Sequence, residues 1–341
     1  MRIDLHTHST TSDGTDAPAA LMALARDAGL DVIALTDHDT TAGWPSAAAA
    51  LPAGLTLVPG AELSGRWYGP RRPGPDGGDG AAEPAGNATR PEHTEVVRGS
   101  GRGETVFRPD GGRGGRTADG SAPGEGAQAP VGLHLLAYLF DPAYRPLAEE
   151  LAKVRRSRER RSEKIVALLN ADDIDVTVPE VQAYAGGGTV GRPHIAQALV
   201  RRGLVGSVDE AFAPEWLGRR YRLPKADIDV FTALRLVREA GGVPVLAHPR
   251  AGRRGHIVPD AVIAELAQAG LWGVEAGHPD HTPDDREHVR ALARDLGLRV
   301  AGSSDYHGAN KTIPLGAFTT DPEVYDALIA TATGTTPITR C

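Results

Sequence analysis

The chain has 341 residues, an apolar share of 40% and a net charge of −7, from Asp+Glu 44 against Lys+Arg 37. That is enough for one large domain with additions, or two ordinary domains. It excludes a global basic field that would draw in long nucleic acid or anionic membrane. The only cysteine is Cys341, which excludes a disulfide framework and a thiolate zinc site. No apolar stretch approaches the roughly 18–20 residues that cross a bilayer, and no signal-peptide core precedes the first strand. The expected setting is the cytoplasm, with no membrane contact and no obligate protein partner.

Seven short apolar runs read as strands, near 2–6, 31–36, 56–60, 132–139, 244–247, 272–275 and 299–302. The first ends in Asp4-Leu5-His6-Thr7-His8, with Asp13 in the loop beyond. Positions i and i+2 of a strand share a face, so His6 and His8 can address one metal. A helix over 18–28 follows, with Asp16 and Pro18 as start signals and Gly29 as a stop. The second strand runs into Thr36-Asp37-His38-Asp39, and the third into Gly60-Ala61-Glu62. From 65 to 130 about four residues in ten are Gly or Pro, a composition of disorder. The run from Gly111 to Arg116 has the look of an RNA-contacting segment, but a solvated loop insertion accounts for it better.

The fourth strand carries His134 among leucines. The Arg- and Glu-rich stretch 145–169 reads as one exposed helix. It opens a mostly helical block, 142–232, without obvious strands. The fifth strand ends in His248-Pro249, the sixth in Glu275, and the seventh runs into Ser303-Ser304-Asp305-Tyr306-His307, with helices expected at 258–269 and 284–296. Strand–helix alternation points to a parallel α/β architecture. The expected fold is a distorted seven-stranded (β/α) TIM-like barrel with an inserted helical subdomain. Its barrel segments would be 1–64, 131–141 and 233–341, and its insertions 65–130 and 142–232.

In a closed α/β barrel the C-terminal strand ends converge on one face. A turn residue or helix cap explains any one of these acids or imidazoles alone. Their recurrence at each strand end, with His134 the partial exception, points instead to a metal site. Imidazole with carboxylate and no sulfur suits Zn, Mn or Fe. Nine candidates (His6, His8, Asp13, His38, Glu62, His134, His248, Asp305, His307) exceed what one ion takes. Two or three divalent ions sharing a carboxylate bridge, with Glu62 as the bridge, are expected.

Asp4-Leu5-His6-Thr7-His8-Ser9, Thr36-Asp37-His38, Pro59-Gly60-Ala61-Glu62, Ala247-His248-Pro249 and Ser304-Asp305-Tyr306-His307 resemble, as a set, the motifs of the PHP (polymerase and histidinol phosphatase) family. The resemblance spans the chain outside 65–130. It implies a multinuclear centre that cleaves phosphoesters. His6, His8, Glu62 and Asp305 would hold one ion; Glu62, His134 and His248 a second; Asp13, His38 and His307 a third. Asp13 within Ser12-Asp13-Gly14 and the helical insertion resemble the branch of 3',5'-nucleotide bisphosphate phosphatases, as does Gly191-Arg192-Pro193-His194, similar to that branch's phosphate-binding element. Members of the branch convert adenosine 3',5'-bisphosphate to AMP, and some trim short RNA from the 5' end.

The expected reaction uses no protein nucleophile; a hydroxide bridging the metals attacks phosphorus in line. Arg192 supplies a planar fork for phosphate oxygens and His194 a second donor. Arg250, His278 and Lys311 are further substrate-binding candidates, and Asp4 and Asp37 are expected to orient neighbouring imidazoles. His93, His256 and His288 read as solvent-exposed. The substrate would be a small phosphorylated nucleotide, or short RNA at most, since long RNA needs many cationic contacts. Two alternatives use the same residues: a histidinol-phosphate phosphatase, and a metal-bound interaction module without catalysis.

Overall fold

The computed structural model describes residues 1–69, 130–252 and 257–340. Strand β1 (Ile3–Thr7) pairs in parallel with β2 (Val32–Leu35), and β2 in parallel with β3 (Thr56–Trp67). Helices α1 (Pro18–Asp27) and α2 (Trp44–Ala49) lie between them in sequence, each with a proline in its first turn, where a missing N–H goes unnoticed. Gly29 (φ 72°) takes the left-handed conformation just past α1, the role its position suggested.

Strand β4 (Val131–Tyr138) runs antiparallel to β3. After it come α3 (Arg145–Ala171), α4 (Val178–Tyr184), α5 (Arg192–Arg201) and α6 (Val208–Ala211). A two-residue strand, β5 (Ile228–Asp229), pairs with the far end of β3 and leads into α7 (Val230–Glu239). The block expected to lack strands therefore contains one. The barrel resumes with β6 (Val243–Leu246), antiparallel to β4, then β7 (Gly273–Gly277) and β8 (Arg299–Gly302) in parallel. Helices α8 (Asp260–Gln268) and α9 (Pro283–Leu296) separate these last strands. Helix α10 (Pro322–Thr331) and β9 (Ile338–Thr339), which pairs with the start of β3, complete the described chain.

The main path of the sheet is β1-β2-β3-β4-β6-β7-β8, a distorted seven-strand barrel. Its ends approach where the His8 N–H donates to the Tyr306 carbonyl at 2.8 Å. Along that path β4 breaks the expected parallel pattern, and β9 pairs antiparallel with β3 off it. Strand β3 also continues beyond residue 64 to Trp67. The rest of the Gly/Pro-rich stretch, with the Gly111–Arg116 run and His93, lies outside the described residues, as does His256.

Among the described residues two apolar cores follow from the strand alternation. Ile3, Leu5, Val32, Ala34, Val58, Leu136 and Val245 fill the barrel. Residues of opposite parity, such as Ile33, Leu57, Leu135 and Leu246, pack against α1, α2, α7 and α8. A separate cluster, including Ile165, Leu169, Ile195 and Leu199, holds the inserted helices together. Helix α3 is not exposed all round: a stripe through Leu147, Leu151, Val154, Arg158, Arg161, Ile165 and Leu169 is buried. Those spacings of three and four residues trace one helix face, and the abundance of charge on the other faces masks it in the sequence.

Candidate metal centre

The nine predicted ligands meet at one end of the barrel. Two local features aim them. In β1 the register passes from Asp4↔Ile33 to Thr7↔Leu35, three steps against two. Such a bulge reverses which side chains face inward. Ile3 and Leu5 point into the barrel below it, and His6 and His8 point into the mouth above it. Asp4 falls on the other side, where its carboxylate accepts N–H bonds from Ser304 (3.0 Å) and Gly316 (2.8 Å). The expectation that Asp4 orients an imidazole is therefore corrected. Asp37 likewise binds Ser9 and Ser12 rather than a ring, and reaches His8 only through the Ser12 hydroxyl, 3.3 Å from His8 Nδ1.

The second feature is the reversal of β4. His134 stands opposite Ser64 and near the start of its strand. In a reversed strand that is the mouth end, which removes its status as an exception. Asp39, His248 and Asp305 all adopt left-handed backbone (φ 55°, 27° and 52°). Non-glycine residues pay for that conformation, and it clusters where side-chain placement matters.

The cage is built on Glu62, whose residue is 1% exposed. Its Oε2 lies 3.3 Å from His6 Nε2, 3.2 Å from His8 Nε2 and 3.1 Å from His38 Nδ1. Its Oε1 lies 2.7 Å from His134 Nδ1 and 2.9 Å from His248 Nε2. The two oxygens thus serve different partners. Asp305 Oδ1 closes the first group, 3.3 Å from His6 Nε2 and 3.5 Å from His8 Nε2. Asp13 forms the third, with Oδ2 3.6 Å from His38 Nε2 and Oδ1 3.4 Å from His307 Nε2.

Donor chemistry and proton placement fit cations. His6 Nδ1 is 3.1 Å from Glu275 Oε1; a proton there leaves Nε2 with a lone pair aimed at the cage. His6 Nε2 and His8 Nε2 lie 3.0 Å apart, two like atoms with no proton to share if both are metal-facing. His38 Nδ1 is buried and, among the described residues, makes no hydrogen bond despite its closeness to Glu62.

Electrostatics say the same. Burial alone would raise the Glu62 carboxyl, but His38, His134 and His6 hold it well below the usual range. Burial would likewise raise Asp13, and His38 and His307 draw it well below its ordinary value. Burial opposes charge on His8, yet Asp305 and Glu62 push it up to about 9. Burial, with Lys311 and His8 nearby, takes His307 down to about 4. Acids and imidazoles thus compete for too few protons, a conflict that divalent cations relieve.

Glu275 is the residue whose role the sequence left unread. It receives His6 Nδ1, the His248 backbone N–H (2.9 Å) and the Ser303 hydroxyl. Burial would raise it, but His6, His278 and His248 bring it to about 2. Its position at a strand end was the available signal.

The five substrate-binding candidates are dispersed. Arg192 donates to the Leu217 carbonyl at 3.0 Å and lies 5.2 Å from the centre of the Phe212 ring. His194 is buried; its Nδ1 accepts the Gly191 N–H at 2.9 Å, and it also bonds the Ser12 backbone. It ties the start of α5 to the Asp13 loop. Arg250 pairs with Asp260 and with His288, a half-exposed residue 2.6 Å away. His278 Nε2 and Lys311 Nζ both reach Asp305 Oδ2, at 3.2 and 2.5 Å.

A buried carboxylate–imidazole cage at the mouth of a distorted barrel defines a metal-dependent hydrolase. Residues 4–96 match the PHP domain, and the comparisons support a metal-dependent phosphoesterase. It is similar to the 5'-3' exoribonuclease of Haemophilus influenzae, 27% identical over 319 residues that cover 92% of this chain and 93% of the relative. It is similar also to the 3',5'-nucleoside bisphosphate phosphatase of Chromobacterium violaceum, 25% identical over 314 residues, 89% of this chain and 87% of the relative. A solved structure from Bifidobacterium adolescentis, provisionally named a metal-dependent phosphoesterase, superposes with a TM-score of 0.72 at 28% identity, covering 97% of this chain and 96% of that one. Among the described residues no helix is long and apolar enough to cross a membrane.

Proposed function

We propose that the enzyme removes the 3'-phosphate from nucleoside 3',5'-bisphosphates, giving AMP and phosphate from adenosine 3',5'-bisphosphate, and that it trims short RNA from the 5' end as a second activity. The observation that carries the reading is the division of Glu62, one oxygen toward His6, His8 and His38 and the other toward His134 and His248. A carboxylate so shared suits adjacent cations acting on one phosphoryl group.

His6, His8, Glu62 and Asp305 would hold one divalent ion, Glu62, His134 and His248 a second, and Asp13, His38 and His307 a third, with Mn, Zn or Fe as the metal. Bound there, divalent ions supply Lewis-acid neutralisation of phosphoryl charge and a water acidic enough to attack at neutral pH. The chain's own residues set the frame. Glu275 fixes the His6 tautomer. Lys311 and His278 steady the outer oxygen of Asp305. Ser303 gives its hydroxyl to Glu275 and is not poised as a nucleophile. Arg192 brings positive charge toward the substrate, with His194 holding the Asp13 loop.

The similarity to a bisphosphate phosphatase and to an exoribonuclease supports both activities, and the −7 charge favours small substrates over long RNA. Metal analysis of the purified protein, paired with phosphate release from adenosine 3',5'-bisphosphate, AMP, histidinol phosphate and short 5'-phosphorylated RNA, tests the reading. Bound divalent metal and preferred turnover of the bisphosphate are expected. Preferred turnover of histidinol phosphate would replace the substrate, and background turnover of every ester by metal-loaded protein would leave a binding module.

A further inference from the structure

The third donor group differs from the other two in what carries its carboxylate. Glu62 lies within β3, paired with β4 on one side and bridged to His38 on the other. Asp13 lies beyond β1, in the loop that leads to α1. A carboxylate on a loop keeps its place only where neighbouring groups fix the backbone around it.

Much of that fixing comes from the inserted helices. The Thr189 N–H donates to the Thr11 carbonyl at 2.8 Å, and His194 bonds the Ser12 backbone. The approach is close enough that a Cβ on Gly188 would stand 2.1 Å from the Thr11 carbonyl oxygen. The turn after β8 adds more. The Ala309 N–H donates to Thr15 Oγ1 at 2.8 Å, and the Thr15 N–H to the His307 carbonyl at 3.2 Å.

Asn310 joins the two supports. Its Nδ2 donates to the Asp13 carbonyl at 2.8 Å, while its Oδ1 accepts from Gln197 Nε2, on α5, at 3.3 Å. The Asp13 carbonyl can only accept, which fixes the amide's orientation and turns its oxygen toward the insertion. Asn310 also closes the short 3-10 turn that follows His307. One half-buried side chain therefore links two members of the group, Asp13 and His307, to the inserted helices. The remaining member, His38, is reached from α3, where Arg155 donates to the carbonyl of the next residue, Asp39, at 2.6 Å.

We propose that Asn310 is a positioning residue that docks the inserted helices onto the Asp13 loop, so that docking of the insertion and filling of the third ion's site are coupled. The coupling rests on the third-ion assignment above. Linkage runs both ways: whatever loosens the dock weakens that ion, and the ion tightens the dock.

Equilibrium dialysis of the full chain against graded divalent manganese, with bound metal counted by plasma mass spectrometry, tests the coupling. Amide hydrogen exchange of α5 is followed over the same series. Asn310→Ala should weaken one ion about 10–100-fold, the effect of losing an outer partner of a ligand, and leave the others as in wild type. Asn310→Asp, the same shape without the donor, should lose at least as much. Gln197→Ala should act in the same direction by a smaller factor, since it removes the longer bond. Exchange in α5 should slow as the last ion binds to wild type, and not in Asn310→Ala. A variant folded by circular dichroism that binds every ion with wild-type affinity would overturn the proposal. Equal weakening of all ions, the mark of a general structural defect, would overturn it too. If Asn310→Ala does not fold, Gln197→Ala decides on the same readout. A wild-type chain that takes only two ions would overturn the coupling and leave a two-ion hydrolase. Selective loss of one ion in a variant of an enzyme that releases no phosphate from the bisphosphate would keep the coupling and remove the substrate reading.

Discussion

The barrel mouth and the inserted helices both bury charge, in opposite ways. At the mouth, acids and imidazoles from different strands interleave so closely that each oxygen of Glu62 serves several rings. Along α3 the buried charges are positive, and the Nε of Arg161 has no hydrogen-bond partner among the described residues. A mixed cluster of lone-pair donors is completed by cations; a cationic cluster is completed by an anion. The two regions differ in the sign of the charge that would complete them, and substitutions that affect one and spare the other measure how far that contrast holds.

The sharpest break is Glu62→Ala. It removes the carboxylate common to the two inner donor groups, and kcat is expected to fall by about a thousandfold or more, in the range seen when a dominant electrostatic element is lost. Bound metal per chain, read by plasma mass spectrometry, should fall with it. Full metal content at wild-type turnover would show that the cage is not the reacting centre. Glu275→Gln is a milder probe of the same region. The amide keeps the shape but cannot hold the His6 Nδ1 proton as a carboxylate does, so activity or metal affinity should drop about 10–100-fold. An unchanged metal dissociation constant and turnover would mean that His6 is fixed by its other neighbours.

The same contrast explains what was legible in the sequence. The cage was readable because strand ends converge in any α/β barrel, so an imidazole after an apolar run carries its location with it. The seven-strand count and the candidate cage residues needed only local periodicity. The bulge in β1 was not readable, since nothing in Asp4-Leu5-His6-Thr7-His8 marks where a residue slips; hence Asp4 was placed with the rings it in fact turns away from. The direction of β4 was hidden for a related reason. An antiparallel strand has the same alternation as a parallel one, and only pairing reveals that His134 sits at the mouth. In α3 the difficulty was chemical. Arginine at two buried positions of a charged helix reads as solvated surface until the leucines and Ile165 on the same stripe are seen to be covered.

Arg192→Ala is expected to have the smallest effect and separates two meanings of a basic residue. The guanidinium is already engaged by the Leu217 carbonyl and the Phe212 face, inside the insertion rather than at the cage. Its charge still adds to that of Arg158, and burial takes it down to about 10. Removing it should raise KM for adenosine 3',5'-bisphosphate severalfold to about tenfold, the worth of one partly screened charge-assisted contact, with kcat within twofold of wild type. Arg192→Lys distinguishes charge from stacking, because lysine keeps the charge and gives up the planar fork over the ring. Recovery of KM in the lysine variant would assign Arg192 to the cationic cluster. A KM as high as in the alanine variant, with a lowered melting temperature, would assign it to the packing of the insertion.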